Sequence, residues 1–246
     1  MTSNPLVSII TVTYNCESTV SKTINSILNQ KYSNVEYIVI DGASTDRTLK
    51  IFYEHAEKIK DCTVNFSLVS EPDNGIADAW NKGLSNVKGE LIFFLNGDDW
   101  IAPDTIEIAV KKHIKNNYVI IYGNCVKINN NSLEKIYLKT FFRHRQFWNF
   151  GFSFTTCFIP KAVYDEVGGF DENYKIALDS HFLLRCIKKN VKFTKSNHKV
   201  YMLEGGVSYK FFRVSLEEYR KALIETGHQK LIVDFFHFIK SLYYNK

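Results

Sequence analysis

The chain has 246 residues, of which 45% are hydrophobic and 23% charged, and its formal net charge at pH 7 is +5. This size fits one large domain, or one domain with an appendage, and the composition excludes disordered and collagen-like proteins. The five cysteines are scattered without a Cys-x-x-Cys pair, which gives no indication of a disulfide framework or a thiolate zinc site. No apolar run reaches the roughly 18 residues that a membrane-spanning helix needs, and the N-terminus lacks signal-peptide features. We therefore expect a cytoplasmic protein, soluble or at most peripheral, and the charge alone does not point to nucleic acid.

Short β-rich runs alternate with helical patterns over roughly the first hundred residues. The runs typical of strands cover residues 6–14, 35–41, 64–70 and 90–95. Apolar residues at helical spacing predict helices over 19–28, 47–55, 76–84 and 103–115. This alternation is typical of a layered α/β domain with a largely parallel central sheet.

The pattern changes after residue 117. Strand-like runs at 118–122 and 134–138, separated by three asparagines, predict a hairpin. An aromatic-rich stretch at 140–158 predicts a partly exposed binding wall. The remaining elements are expected in chain order as a helix at 179–189, strands at 192–194 and 199–203, and two amphipathic helices from Ser215. These changes divide the chain into segments 1–117, 118–212 and 213–246.

Acidic residues follow three of the four predicted parallel strands, at Asp41, at Asp73 and at the Asp98–Asp99 pair. In open α/β sheets, ligands bind beyond the carboxyl ends of the strands. Several acids at one edge repel each other, so a cation or a hydrogen-bonding ligand is expected there. In the Asp98–Asp99 pair, one carboxylate can ligate Mg²⁺ or Mn²⁺ while the other accepts hydrogen bonds from a hydroxylated ligand. The pair could equally cap a helix, and Asp41 could simply form an Asx-turn with Ser44.

Two common nucleotide-binding motifs are absent from the sequence. No Gly-x-Gly-x-x-Gly follows the first predicted strand, and no Gly-x-x-x-x-Gly-Lys-Ser/Thr occurs anywhere. Dinucleotide-dependent dehydrogenases and P-loop nucleotidases are therefore disfavoured.

Five segments in collinear order resemble the successive motifs of family 2 glycosyltransferases. They are ValSerIleIleThrValThrTyrAsn at 7–15, GluTyrIleValIleAspGlyAlaSerThrAspArgThr at 36–48, GluProAspAsnGlyIleAlaAspAlaTrpAsnLysGly at 71–83, PheLeuAsnGlyAspAspTrp at 94–100, and GlyGlyPheAspGluAsnTyrLysIleAlaLeuAspSerHisPheLeuLeuArg at 168–185. The resemblance covers roughly residues 6–210. It implies an inverting enzyme of the GT-A fold, similar to bacterial members that build O-antigen, capsule and lipooligosaccharide. This fold is a layered α/β/α arrangement, here with an acceptor-side β/aromatic region and C-terminal helices.

The resemblance implies functions for the segments and for individual residues. Segment 1–117 becomes the nucleotide-sugar-binding half and 118–212 the acceptor-binding and catalytic-base half of the same domain. The implied nucleotide-sugar contacts are Thr11, Tyr14, Glu17, Asp41 (to the base), Asp78 (near the ribose or diphosphate) and Asp98 (to the ribose or donor sugar). Asp99 would ligate the metal, and Asp179 would be the catalytic base, unless Asp179 is only a helix N-cap.

The chain departs from the family pattern at two sites and resembles it again at a late loop. Related sequences often have His-Gln where this chain has Thr155-Thr156, and an Asp is frequent where His181 stands. We interpret His181 as a structural or supporting residue and not as a rival base. The loop Gly205-Gly206-Val207-Ser208 resembles one that closes over the diphosphate, although it could be only a turn.

The function implied is transfer of a hexose or N-acetylhexosamine from a nucleotide-diphosphate sugar, most simply UDP-linked, with Mn²⁺ or Mg²⁺ as cofactor. The expected acceptor is a hydroxyl of a lipid-linked bacterial surface glycan. The stretch 141–154 and the tail from Phe235 would then face the inner membrane leaflet, unless they are ordinary core aromatics and a solvated helix. The alternatives are a sugar-1-phosphate nucleotidyltransferase, whose Gly-rich, Arg-containing loop is missing after the first strand, and a catalytically silent binding partner.

Overall fold

A mixed β-sheet runs through the computed structural model, which describes residues 4–114, 118–129, 132–137, 141, 146–203, 205 and 210–244. Its strands are β1 (Val7–Thr13), β2 (Val35–Asp41), β3 (Asn65–Ser70), β4 (Leu91–Phe94), β5 (Trp100–Ile101), β6 (Val119–Asn129), β7 (Ser132–Tyr137), β8 (Phe158–Pro160) and β9 (Lys192–Leu203). The order across the sheet is β3-β2-β1-β4-β8-β6-β9-β5, and β7 pairs with β6. The strands β3, β2, β1 and β4 are parallel, as the alternating pattern predicts.

Helices pack on both faces of the sheet. They are α1 (Val20–Leu28), α2 (Thr48–Cys62), α3 (Ile76–Ser85), α4 (Thr105–His113), α5 (Lys161–Val167), α6 (Leu178–Lys188), α7 (Phe212–Glu225) and α8 (Lys230–Tyr244), with a 3₁₀ turn at Phe154–Thr156. Every residue of β2 is buried, as expected for a parallel strand whose two faces are both covered by helices. Among the described helices, none has the length and apolar character required to cross a bilayer.

The aromatic stretch at 140–158 contributes to the core instead of forming an exposed wall. Phe150, Phe154 and Phe158 are buried. The ring of Phe154 stacks 5.1 Å from that of Trp80, which in turn lies 4.9 Å from Phe94. The prediction of an exposed wall was wrong for these rings, because aromatic density reflects packing across the sheet here. Residues 142–145 of this stretch lie outside the described part of the chain.

The two strands predicted at 192–194 and 199–203 are a single strand, β9. The polar residues between them look like a turn, yet Ser196 and His198 are buried and their side chains are 2.6 Å apart, Oγ to Nδ1. The other ring nitrogen of His198 is 2.8 Å from the carbonyl oxygen of Thr156. Both ring nitrogens of His198 have hydrogen-bond partners, so the histidine can be buried within the sheet. The strand therefore continues through polar residues at which the sequence pattern predicts a break. The predicted hairpin of β6 and β7 is confirmed.

Candidate active site

The carboxyl ends of β1, β2 and β4 meet at one edge of the sheet. Thr13 at the end of β1 donates a hydrogen bond from Oγ1 to Asp41 Oδ1 at the end of β2, over 3.0 Å. A Cβ added to Gly97, just beyond β4, would lie 2.6 Å from the Thr13 methyl group. Only glycine allows this close approach, so the three strand ends form one continuous surface where the motifs of the first half come together.

Asp41 is fully buried and its carboxylate is saturated with hydrogen bonds. Besides Thr13, it accepts from the Ser44 backbone N–H at 2.9 Å, from Ser44 Oγ at 2.5 Å and from Ser70 Oγ at 2.7 Å. The Asx-turn with Ser44 is therefore present. It organises the loop after β2, and the predicted contact of Asp41 with a nucleotide base stays a prediction.

The loop after β1 is tied to the loop after β2. The Glu17 carboxylate accepts from the Arg47 backbone N–H at 2.9 Å, and the Asn15 side-chain oxygen accepts from the Thr45 N–H at 2.9 Å. Tyr14 is 63% exposed at this edge, whereas Thr11 is completely buried inside β1. Of these predicted nucleotide contacts, Tyr14 presents surface to a ligand, Glu17 holds the two loops together, and Thr11 presents no surface.

Asp73, predicted among the acidic residues at the strand ends but given no individual role, lies in the same place. A Cβ added to Gly42 would be 2.5 Å from Asp73 Oδ2 and 3.5 Å from the Tyr14 ring. The other carboxylate oxygen of Asp73 accepts from the Gly75 N–H at 2.9 Å. Asp73 and Tyr14 thus pack closely against Gly42 beside the β2 end. In the sequence, a glycine such as Gly42 indicates that another group approaches the backbone closely. It does not identify Asp73 as that group.

Asp78 lies in the first turn of α3 and stabilises the loop before it. Its Oδ2 accepts from the Asn74 backbone N–H at 2.9 Å and lies 3.4 Å from Lys82 Nζ. The Asn74 N–H, followed by Lys82, holds the pKa of Asp78 below its usual value. Lys82 also pairs with Glu71 at 2.9 Å. Asp78 is therefore ionised at the candidate site, and its contact with a ribose or diphosphate stays a prediction.

Asp98 and Asp99 occupy a tight turn between β4 and β5. The Asp99 N–H donates to the Asn96 carbonyl at 3.1 Å, and Thr23 of α1 donates to the Asp99 carbonyl at 2.7 Å. The helix-capping alternative does not hold, because α4 begins at Thr105 with Asp104 at its cap position. The turn is instead held by the hydrogen bond from Thr23 of α1.

The electrostatics of this pair fit a bound cation. Asp99 is 2% exposed and Asp98 is half-buried, and burial raises the pKa of both carboxyls. The charge of Asp98 raises the pKa of Asp99 further. No ion pair within the described ranges includes either residue, so a divalent cation would supply the missing positive charge. The described residues contain no group of three or more His, Cys, Asp or Glu able to hold a metal.

Asp179 lies in the first turn of α6, on the other half of the sheet. Ala177 occupies the cap position and Asp179 Oδ1 accepts the Ser180 N–H at 2.5 Å, so Asp179 is not the N-cap. Burial raises its pKa above the ordinary value. Its charge also raises the pKa of Cys157 and of Tyr219, which places it near the 3₁₀ turn and α7.

His181 faces a different environment from Asp179. It is 6% exposed, and its ring stacks on Tyr174 with centroids 4.1 Å apart. Burial and the nearby Arg185 hold its pKa below the usual value. This packing favours the structural interpretation of His181.

A carboxylate from α7 binds the segment that leads into α6, the helix that carries Asp179. Glu218 accepts three backbone N–H groups, those of Lys175, Ile176 and Ala177, each at 2.8 Å. Glu225 on the same helix accepts from the Tyr174 hydroxyl at 2.6 Å. The sequence gives no signal for this contact, because its two parts are about forty residues apart and cap signals are read only locally.

The Thr155-Thr156 pair is structural in its contacts. Thr156 is fully buried, donates to the Ser153 carbonyl at 2.7 Å and accepts from the Gly123 N–H at 3.3 Å. Thr155 is 8% exposed and lies 3.0 Å from the Met202 sulfur. Of the predicted closing loop only Gly205 is described, so residues 206–208 lie outside the description.

Comparison with known proteins identifies the family to which the chain belongs. Residues 8–171 match the family model "Glycosyl transferase family 2", and the chain belongs to this family. The fold agrees: it superimposes on the mannosyltransferase PcManGT of Pyrobaculum calidifontis, solved with GDP-Man and Mn²⁺, with a TM-score of 0.71, 23% identity and coverage of 94% of this chain and 68% of that one. For TarS of S. aureus, solved with UDP-GlcNAc, the values are 0.70, 19%, 94% and 70%. The predicted GT-A fold is confirmed, and the nucleotidyltransferase alternative is set aside.

Sequence relatives narrow the comparison further. The chain is 41% identical over 130 residues to WfgD of Escherichia coli, named as a UDP-Glc:alpha-D-GlcNAc-diphosphoundecaprenol beta-1,3-glucosyltransferase. That match covers 52% of this chain and 49% of WfgD. The chain spans about half the length of the first curated relatives it matches.

Proposed function

We propose that this protein is an inverting glycosyltransferase that moves a hexose or N-acetylhexosamine from a UDP-sugar to a hydroxyl of a lipid-linked bacterial surface glycan. The observation that carries the proposal is the presence of two separate acidic centres. Asp98 and Asp99 lie at the β4 end without a basic partner among the described residues, and Asp179 lies separately at the start of α6. One centre suits a metal-bound diphosphate and the other suits a proton acceptor.

The donor binds at the edge formed by β1, β2 and β4. Its base and ribose lie against the exposed ring of Tyr14 beside Asp73, and its diphosphate approaches Asp98 and Asp99. Asp99 would hold Mn²⁺ or Mg²⁺, and Asp98 would contact the ribose or the sugar. When bound, the metal neutralises charge that develops on the leaving diphosphate, a contribution of several kcal/mol.

Asp179 is the general base. The acceptor oxygen forms a bond to the anomeric carbon while the bond from that carbon to the diphosphate oxygen breaks, and the acceptor proton moves to Asp179. Attack opposite the leaving group inverts the configuration. The raised pKa of Asp179 brings its basicity closer to neutral pH, where proton transfer is more efficient. A positioned base typically contributes about 10²- to 10⁴-fold in rate.

The acceptor class is supported by the relative in Escherichia coli, whose name specifies a diphosphoundecaprenol-linked GlcNAc acceptor. A polyprenyl-linked acceptor lies at the membrane, so the proposed reaction takes place beside a bilayer. We therefore place the acceptor with its lipid anchor in the inner leaflet and its sugar at the Asp179 side.

The test is a panel of UDP- and GDP-sugars with Mn²⁺ or Mg²⁺ and a short synthetic acceptor bearing a lipid diphosphate. Acceptor-dependent release of UDP, with a β-linked product from an α-linked donor, is the expected result. Release of inorganic pyrophosphate would indicate nucleotidyl transfer instead. Binding of UDP without release in any combination would indicate a silent binding partner and would contradict the proposal.

A further inference from the structure

The last helix, α8, has one side packed and the opposite side bare. On the packed side Val233 is 1% exposed, Asp234 Oδ1 accepts from Arg220 Nε at 2.6 Å, and Lys240 Nζ lies 4.4 Å from the Tyr219 ring. The bare side carries an apolar stripe, which we call the α8 face. Its members are Leu231 (86% exposed), Phe235 (60%), Phe238 (60%) and Leu242 (55%).

The spacing of the α8 face makes it one continuous surface. Its residues follow one another by four, three and four positions, which places them on a single stripe of an α-helix about 16 Å long. Ile232 and Tyr243, 42% and 65% exposed, widen the stripe on one flank. Scattered exposed apolar residues are ordinary, but a contiguous stripe of this kind marks a surface that binds something.

The charges around the α8 face are asymmetric. The acids of α7 and α8 have contacts within the protein: Asp234 with Arg220, Glu217 at 3.1 Å from His237 Nε2, and Glu218 and Glu225 with the segment before α6. By contrast, the exposed cations Lys210, Arg213 and Lys230 have no charged partner within the described ranges. Within the described part of this helix pair and the residues that lead into it, the charges left without an ionic or hydrogen-bonding partner are thus positive.

We propose that the α8 face docks on an anionic lipid bilayer. An amphipathic helix that lies in the plane of the interface buries its apolar side at the acyl boundary, and nearby Lys and Arg attract anionic headgroups. A second copy of the chain is a poorer occupant, because it would bring the same unpaired cations close to each other. The charges therefore favour lipid over self-association.

Docking through this face fits the position of the candidate base. Tyr219 of α7 lies beside Lys240 of α8 on one side and close enough to Asp179 for its pKa to be raised by that charge. The helix pair that touches the bilayer is therefore the one that supports the acceptor side. This link to a lipid-anchored acceptor rests on the proposed function, whereas the docking itself does not.

The test is co-sedimentation of the full chain with vesicles of phosphatidylcholine alone and with about one third phosphatidylglycerol. The variant is Phe235→Ser/Phe238→Ser, and the matched control is Tyr53→Ser, which removes a similarly exposed ring (64%) from α2. We expect binding to the anionic vesicles, a loss of at least about tenfold in partitioning for the double variant, and no loss for the control. Lys230→Gln should weaken binding by a smaller factor, and added salt should reduce it.

Circular dichroism and UDP titration confirm that the variants are folded. The proposal is overturned if the wild-type chain binds neither vesicle, if the double variant binds as well as wild type, or if phosphatidylcholine alone is bound equally well. It is also overturned if the wild-type chain is a dimer that the double variant converts to monomers. A chain that binds vesicles as expected but transfers no sugar would contradict the proposed function and leave the docking intact.

Discussion

The two acidic centres are positioned by different means. The Asp98–Asp99 turn is held by neighbours across the parallel sheet, through Thr23 of α1 and the close packing of Gly97 on Thr13. Asp179 is held by Glu218, a residue on a later helix that caps the segment before α6. The first arrangement follows from the edge of a βαβ sheet, and the second from one specific tertiary contact.

Because the two acidic centres are held differently, the two halves of the chain should respond differently to substitution. The family match spans residues 8–171, so it includes Asp98 and Asp99 but neither Asp179 nor Glu218. Changes in the first half should mainly affect donor and metal binding. Changes in the second half should mainly affect turnover at saturating donor, because the proposed base that accepts the acceptor proton lies there.

The largest effect is expected for Asp99→Asn. Loss of one charge from the metal ligands should lower turnover by about 10³-fold, the equivalent of several kcal/mol of charge stabilisation. UDP affinity measured by calorimetry should depend on Mn²⁺ in the wild type and become nearly independent of it in the variant. Asp104→Asn, at the cap position of α4, is the control and should keep most activity. Equal UDP affinity of the wild type in EDTA and in Mn²⁺ would contradict the metal bridge.

Asp179→Asn should lower turnover by at least about 10²-fold with UDP affinity nearly unchanged. Its folded-state pKa is raised, so the ionised carboxylate destabilises the fold above the pKa of the unfolded chain. Because Asn removes that penalty, the variant should melt at a higher temperature than wild type near neutral pH, and the difference should disappear in acid. Activity of the wild type should fall on the acidic side as Asp179 becomes protonated.

His181→Ala is the comparison for that variant. Its loss of activity should be much smaller and should come with reduced thermal stability, because the ring is packed on Tyr174. An active Asp179→Asn enzyme together with an inactive His181→Ala enzyme would transfer the role of base to the histidine.

Glu218→Gln should have an intermediate effect, about tenfold in kcat. It removes the charge from three hydrogen bonds to backbone N–H groups, and charge-assisted hydrogen bonds contribute about 1.5–3 kcal/mol each. The donor KM and the UDP affinity should not change, and the acidic limb of the pH profile should shift. Glu217→Gln, one residue away and 65% exposed, is the matched control. A uniform loss of UDP affinity and kcat in Glu218→Gln would show general destabilisation instead of positioning.

The smallest effect is expected for Gly42→Ala. The added methyl group would meet Asp73 Oδ2 at 2.5 Å, so the Asp73 carboxylate beside Tyr14 would have to move. UDP affinity should fall by up to about tenfold, with kcat at saturating donor unchanged. An unchanged UDP affinity would place the nucleotide base elsewhere.

Much of the first half was predictable from local patterns. Period-two and helical spacing predicted the parallel strands and their helices within a few residues, except that α2 continues to Cys62, well beyond the predicted end at residue 55. The rule for strand ends pointed to Asp41 and to the Asp98–Asp99 pair. These features depend on residues close in sequence and on the general geometry of parallel sheets, so no knowledge of distant contacts was needed.

The sequence by itself determined the α/β class, the acidic residues at the ends of the parallel strands and the place of Asp179 in the first turn of a helix. Only the tertiary structure decided that Asp73 lies over Gly42, that Glu218 caps the segment before α6, and that β9 continues through His198. The physical reason is that a hydrogen-bond partner or a packed surface far along the chain leaves no periodic signal. A polar run is a turn when it is solvated and a strand when buried partners satisfy it.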